Sequence, residues 1–329
     1  MKKVFSGIQP TGMIHLGNYL GAIKNWVHLQ GSYECLFCIV DMHAITSSYF
    51  QVASGHKLAQ QLYESSKMTA ATLAATGVSP LFLQSQVKHH TQLMWILGCI
   101  SPMSWFQRMT QFKEKKKALD GASLGLFSYP ALMAADILLY KADLVPVGED
   151  QTQHLELARD IAVRFNSLFE TVFPVPEPLH TNATRVMDLR NPFNKMSKSA
   201  KSDNSRVNLL DEPDLILSKI RKAKTDSEAV IKFDEDRKEL ANLFRIFEGV
   251  TCESIQQLEE RNWENTLVFK EALAEAVIEH LKPIREKTLE LYNDSEKLKD
   301  ILQKGSRKAE VLAEKNLSEI SHFLGFYNN

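Results

Sequence analysis

At 329 residues the chain can hold one large domain with a smaller companion, or two ordinary domains, around a sizeable core. Its 44% hydrophobic and 24% charged residues, with no low-complexity tract and no repeating period, exclude a disordered chain and a solenoid. A net charge of −1 and a pI near 6.8 exclude attachment to nucleic acid by overall charge, so any RNA contact is local, as at Lys113, Lys115, Lys116 and Lys117 or from Lys195 to Lys201.

No apolar run reaches the roughly 18 to 20 residues of a membrane span. Met1-Lys2-Lys3 leads into a strand-like run rather than a signal sequence, so the expectation is a cytoplasmic protein. Val4-Phe5-Ser6-Gly7-Ile8 is β-prone and is broken by Gln9-Pro10-Thr11-Gly12, after which Leu16, Tyr19, Leu20, Ile23 and Val27 recur at helical spacing. That is strand, turn, helix. A second apolar run, Leu36 to Val40, contains Cys38 and follows Cys35. A period of two sends these cysteines to opposite faces, so core packing suits them better than a shared metal.

A helical segment around Leu58 to Leu73 ends near Gly77 and is followed by the short run Leu81-Phe82-Leu83. The alternation predicts βαβ units and a parallel sheet. Asp143-Leu144-Val145-Pro146-Val147-Gly148 repeats the pattern, with Leu155, Ala158, Ile161, Ala162, Phe165 and Phe169 marking the helix behind it. Ligands of such sheets bind beyond the carboxyl ends of the strands, so the loops at 9–18, 41–43 and 148–151 are expected to converge on one crevice. From about residue 211 the texture turns helical. Asp211-Glu212-Pro213 reads as a helix start, and Phe269, Leu273, Ala276, Val277 and Leu281 form a stripe that Pro283 is expected to interrupt or kink. Helical pattern then runs to about Leu324.

The chemistry-bearing segments lie far apart. Gly12 to Asn18 is a Gly-rich strand-to-helix turn, a common way to aim backbone N–H groups at a phosphate. Alone, His15 there reads more readily as a helix cap or a partly buried histidine than as a functional group. Lys195-Met196-Ser197-Lys198-Ser199 sets two ammonium groups three residues apart with a hydroxyl between them, which suits a mobile loop closing on a triphosphate. Alone, it is an ordinary solvated loop. Together the two segments resemble the paired signatures of class I aminoacyl-tRNA synthetases, -HIGH and KMSKS, which flank a Rossmann core. Phe5-Ser6-Gly7-Ile8-Gln9-Pro10-Thr11-Gly12, Met109-Thr110-Gln111-Phe112-Lys113-Glu114-Lys115, Ala134-Ala135-Asp136-Ile137-Leu138-Leu139-Tyr140 and Gly148-Glu149-Asp150-Gln151 narrow the resemblance to the tryptophanyl branch, bacterial and organellar in type, from about residue 3 to Gly325.

The resemblance implies a Rossmann-like α/β catalytic domain over 1–205, a helical anticodon-binding domain over 206–290, and carboxy-terminal helices over 291–329 that pack back toward the catalytic domain. It implies ATP as substrate, carrying Mg²⁺, with no metal site in the protein itself. The nucleotide is expected at Gln9, Pro10, Thr11, Gly17, Asn18, Gly148, Glu149, Asp150, Val186, Lys195, Met196, Ser197, Lys198 and Ser199. L-tryptophan is expected against Asp136 and Gln151, in an apolar slot of Phe5, Val40, Met133, Val145 and Val147 with His43 and Tyr129 beside it. Lys195, Lys198, Lys115, His15 and Asn18 would act in the chemistry. The implied partners are tRNA(Trp) and a second copy of the chain, with neither DNA nor membrane.

Read without the resemblance, Glu149 and Asp150 are acids in the first turn of the next helix, and Asp136 is a helix-interior acid exposed to solvent or paired with Lys141. The chain departs from the family pattern at Ala200-Lys201-Ser202, where relatives commonly continue Asp-Pro-Asn, and in the loop between Ser47 and Gly55. A tyrosyl synthetase and a non-catalytic nucleotide- or RNA-binding relative are the alternatives. A simple dehydrogenase is disfavoured, because the first turn has no G-x-G-x-x-G.

Overall fold

The computed structural model describes the chain apart from residues 47–54, 111, 114–122, 149–151, 181–183, 199, 201, 229 and 327–329. Its centre is a five-stranded sheet, β1 (Lys3–Ile8), β2 (Glu34–Ile39), β3 (Leu81–Leu83), β4 (Leu144–Pro146) and β5 (Glu177–Leu179), in the order β3-β2-β1-β4-β5. Every pairing is parallel. Val4 lies opposite Cys35 on one side and Leu144 on the other, so β1 is central, and chain progression reverses across the β1–β4 pair. In a Rossmann-like sheet that reversal opens a crevice at the carboxyl ends, where ligands bind.

Helices cover both faces, as strands apolar on both sides require. In chain order they are α1, which starts at Leu16–Asn18 and passes through a π-helical stretch Tyr19–Ile23 into Lys24–Leu29, then α2 (Asp41–Ala44), α3 (Gly55–Ala75), α4 (His89–Ile100), α5 (Met103–Gln107), α6 (Leu124–Leu138) and α7 (Thr152–Leu168). Cys35 and Cys38 are both buried and belong to separate apolar clusters on opposite faces of β2, as the period of two predicts.

Beyond the sheet the chain is helical: α8 (Pro213–Arg221), α9 (Lys238–Thr251), α10 (Ile255–Glu260), α11 (Thr266–Asn293) and α12 (Ser295–Phe323). Pro213 occupies the first turn of α8, where its missing N–H costs nothing. Pro283 does not interrupt α11. The residues around it, Leu281 and Ile284, are buried, and tertiary packing holds the turn that has lost a hydrogen bond. One continuous core joins Val4 and Phe37 of the sheet to Phe244, Phe269 and Leu281 of the helical part. Among the described residues no helix is long and apolar enough to cross a membrane.

The last helix lies along the β3 edge of the sheet. Asn316 donates to the Leu139 carbonyl at 2.8 Å, and Ser306 donates to Gln86 at 2.6 Å. At Gly305 the helix comes so close that a Cβ would sit 1.9 Å from the Leu81 carbonyl oxygen. That neighbour is backbone and cannot rotate away. Gly305→Ala is therefore expected to destabilise the protein by at least about 1–3 kcal/mol through overpacking, read as a lower urea midpoint. An unchanged midpoint would contradict this seating of α12.

Candidate active site

The turn after β1 is shaped by its own side chains. His15 is the N-cap of α1: its Nδ1 accepts the Asn18 backbone N–H at 3.2 Å, and Asn18 Oδ1 accepts the His15 N–H at 3.3 Å. Each satisfies a backbone donor that the helix start would leave open. His15 is only 2% exposed. Burial, followed by the charges of Lys198, Arg206 and Lys195, pushes its pKa down from 6.5 to about 3. The imidazole is therefore neutral, and because Nδ1 accepts a hydrogen bond, the proton sits on Nε2.

The Lys195–Lys198 loop packs onto this turn although it lies some 180 residues further along the chain. Lys195 bridges Met187 in antiparallel fashion, and Met196 N–H donates to the Val186 carbonyl at 3.1 Å. Met196 is buried against Gly17, where a Cβ would come within 3.1 Å of both Met196 Cβ and His15 Nδ1. A side chain there would force Met196 or the His15 ring to give by a few tenths of an ångström. Gly12, at φ +67°, lies under the Lys198 side chain, whose Nζ reaches to 3.5 Å from the Gln9 carbonyl oxygen. Burial lowers the Lys198 pKa to about 8.

Beneath this pairing the β1–β4 switch point opens into two chambers that share Ser6, Gly7, Pro146 and Val147. One, of about 800 Å³, is lined by Phe5, Val40, His43, Tyr129, Met133, Asp136, Val145 and Val147, and Gln9 and Ser197 reach its mouth. The other, of about 750 Å³, is lined by Gly148, Lys195, Arg185, Asn25 and Trp26 among others. The loop thus spans both, with Ser197 over one chamber and Lys195 over the other.

Asp136 lies on α6 at 2% exposure, so it is not a solvent-facing acid, and Lys141 pairs instead with Glu319 at 2.8 Å. Its Oδ2 is 2.9 Å from His43 Nε2, and its Oδ1 is 2.6 Å from His90 Nδ1 and 2.7 Å from Gln84 Nε2. Burial pushes this carboxyl up, and the hydrogen bonds from His43 and His90 more than offset it, leaving the pKa below the ordinary carboxylate range. Tyr129 Oη lies 2.7 Å from His154 Nε2 on the same wall.

The expected residues Phe5, Val40, His43, Tyr129, Met133, Asp136, Val145 and Val147 therefore line one cavity. His15, Gly17, Asn18, Val186, Lys195, Met196 and Lys198 form the packed turn and loop. Lys115, Glu149, Asp150, Gln151, Ser199 and the 47–54 loop lie outside the described residues. Sequence reasoning missed Gln84 and His90. Gln84 follows β3 directly, so extending the carboxyl-end rule to that strand would have found it. His90, the second residue of α4, carries no such signal.

The sequence family described as tRNA synthetases class I (W and Y) matches residues 1–282. The chain belongs to this family. A tryptophan–tRNA ligase of Rickettsia conorii is 49% identical over 99% of each chain, and one of Helicobacter pylori is 50% identical over 98% of each. The crystal structure of tryptophanyl-tRNA synthetase from Campylobacter jejuni, complexed with ADP and tryptophan, superimposes with a TM-score of 0.83 at 36% identity, covering 98% of this chain and all of that one.

In this class I synthetase the neutrality of His15 has a pH consequence. Its folded pKa of about 3 lies below the ordinary 6.5, so the unfolded chain takes up the proton first. The stabilisation is fully present above about pH 6.5 and is lost as the pH falls from there toward 3. Nitrogen-detected NMR of the folded protein is expected to show His15 neutral, with Nδ1 bare, throughout pH 5 to 9. A folded-state titration near 6.5 would contradict the burial argument.

Proposed function

We propose that this chain is a tryptophan–tRNA ligase, which converts L-tryptophan and ATP to tryptophanyl-adenylate and pyrophosphate, then passes tryptophan to the 3′-terminal ribose of tRNA(Trp). The observation that carries the reading is a buried carboxylate, Asp136, the one carboxylate among the residues lining a cavity that also presents the apolar side chains of Phe5, Val40, Met133, Val145 and Val147, in a chain about half identical to tryptophan–tRNA ligases along its whole length. Indole offers one N–H donor and no acceptor, so an acceptor-only carboxylate is the group suited to read it. Apolar walls alone discriminate poorly between similar rings. Gln151 is assigned to the amino acid's α-carboxylate or ammonium.

ATP is assigned to the turn and the loop. Gln9, Pro10, Thr11, Gly17 and Asn18 are assigned to it from the turn after β1, Glu149 and Asp150 are assigned to the ribose hydroxyls, Gly148 is assigned beside them, and Val186 accepts the Met196 N–H behind the loop. Mg²⁺ arrives on the triphosphate as part of the substrate, and among the described residues no group of three or more His, Cys, Asp or Glu could hold a metal ion. No covalent enzyme intermediate is needed. An oxygen of the tryptophan carboxylate attacks the α-phosphorus, the bond to the bridging oxygen breaks, and pyrophosphate leaves with the electron pair.

The protein's work is positioning and charge stabilisation. Lys195 and Lys198 stand over the path of the leaving pyrophosphate, and Lys115 helps to hold the triphosphate. An anionic neighbour restores the full charge of Lys198, which burial alone weakens. His15 is neutral, so it supplies a hydrogen bond from Nε2 rather than a charge, and Asn18 is committed to holding that ring's backbone. The helical unit over 206–290 is assigned to the anticodon and the helices over 291–329 to bracing the catalytic unit, in a homodimer that binds tRNA across both subunits. A cytoplasmic site goes with this reading.

Amino-acid-dependent pyrophosphate exchange tests the assignment. Tryptophan is expected to drive exchange far above every other standard amino acid, and exchange with tyrosine alone would overturn the reading. Lys195→Ala is expected to lower the rate of adenylate formation by about 10²–10³-fold while leaving tryptophan affinity nearly unchanged. Equal losses in both would contradict a role confined to the transition state.

A further inference from the structure

Asp136 ends a buried chain of hydrogen bonds that runs away from the cavity into the core. Tyr140, 1% exposed, brings its hydroxyl to 2.8 Å from His90 Nε2, and His90, fully buried, faces Asp136 Oδ1 with Nδ1 at 2.6 Å. Burial, followed by the nearby Cys38 and Asp136, holds the Tyr140 hydroxyl protonated far above its ordinary range. A carboxylate can only accept, so His90 carries its proton on Nδ1. Its Nε2 is left to pair with the Tyr140 hydroxyl, so His90 is held between a fixed phenol and the carboxylate.

Oδ1 receives two donors, His90 and Gln84, while Oδ2 receives one, His43. A carboxylate offers about four acceptor positions. The grip is therefore uneven: Oδ1 is saturated on the core side, and Oδ2, beside the cavity-lining His43, keeps acceptor capacity. Rings fix the hydroxyl end. Tyr140 stacks on Phe5 at 5.5 Å and 13° and meets Phe82 edge-on at 5.8 Å, so it cannot swing away from His90 without breaking the core of β1 and β3.

We propose that His90, with Tyr140 behind it, is a positioning residue that fixes the rotation and ionisation of Asp136, so that Oδ2 alone meets the ring N–H of the amino acid. The inference rests on the reading of Asp136 as the reader of that N–H. Without the His90 proton, Oδ1 loses a donor and the carboxylate is free to turn or to take up a proton. It then presents a hydroxyl where an acceptor is required, and the preference for a donor-bearing ring is lost.

The test compares tryptophan with β-(3-benzothienyl)alanine, which replaces the ring N–H by sulfur at nearly the same shape, in pyrophosphate exchange. The readout is the ratio of kcat/KM for the two amino acids. His90→Phe is expected to lower that ratio at least about tenfold with KM for ATP unchanged, and His90→Gln, which keeps an amide donor, to recover most of it. Tyr140→Phe removes only the hydroxyl that pairs with His90 Nε2, keeps the ring packing, and is expected to lower the ratio about threefold. It decides the matter should His90→Phe fail to fold. Equal losses for both amino acids, with the ratio preserved, would overturn the proposal. Asp136→Ala separates the two levels. If it leaves the ratio intact, the reading of Asp136 itself fails. If it collapses the ratio while the His90 and Tyr140 variants do not, only the positioning inference fails.

Discussion

Met196 seats so closely against Gly17 that a Cβ there would lie 3.1 Å from the Met196 Cβ, and much of the site follows from that contact. It locks a loop near residue 196 to a helix start near residue 16, so two segments remote in sequence become one surface. His15 is sealed under the loop, and burial, followed by Lys198, Arg206 and Lys195, pushes its pKa down to about 3, so the imidazole is neutral near pH 7. Lys198 in turn is drawn over Gly12 and half-buried.

The cavity gains its polar selectivity by a different device, a carboxylate brought deep into the core. An isolated buried carboxylate would take up a proton rather than stay charged. Three donors on α2, α4 and the segment after β3 prevent this. They come from elements that follow successive strands, so the charge state of one side chain depends on the register of the whole sheet. The same packing that builds the fold therefore sets the electrostatics of the site.

The parts legible in the sequence were those carried by periodicity or by joint motifs. The apolar runs at Val4, Leu36, Leu81 and Val145 became strands of one parallel sheet, and of the loops after them Gln9, His43 and Gly148 line the two adjoining chambers at its carboxyl ends, as a parallel sheet covered on both faces requires. The cavity residues from Phe5 to Val147 were legible through family resemblance, since nothing in local spacing brings Val40 to Met133. His90 and Gln84 were illegible as partners of Asp136 because they act through contacts between elements and have no pattern along the chain. Pro283 was expected to interrupt or kink its helix, and the helix runs through it without interruption, with Leu281 and Ile284 packed on either side.

The unusual Ala200-Lys201-Ser202 sequence gains a physical reading from what lies below it. Arg206 donates from Nη1 to the Ala200 carbonyl at 3.1 Å and pairs through Nη2 with Asp203 at 3.1 Å. Lys219, with its side chain 1% exposed, reaches both Asp203 and Asp211 at 2.6 Å, and Asp211 accepts from Asn208. Asn208 bridges back to His15, and Leu16 and Leu209 exchange hydrogen bonds with Val207 and Ile14. The end of the loop is thus tied through charges and backbone to the same turn that Met196 grips near its start. A buried ammonium between two carboxylates contributes little net stability, but removing any one partner leaves an uncompensated charge. Such a network holds one arrangement far more firmly than its neighbours. The Lys195–Lys198 segment is thus tied at its start by the Met187–Lys195 bridge and the Met196–Val186 hydrogen bond, and just beyond its end by the Arg206 contact to the Ala200 carbonyl, a contact that involves backbone and not the side chain at position 200.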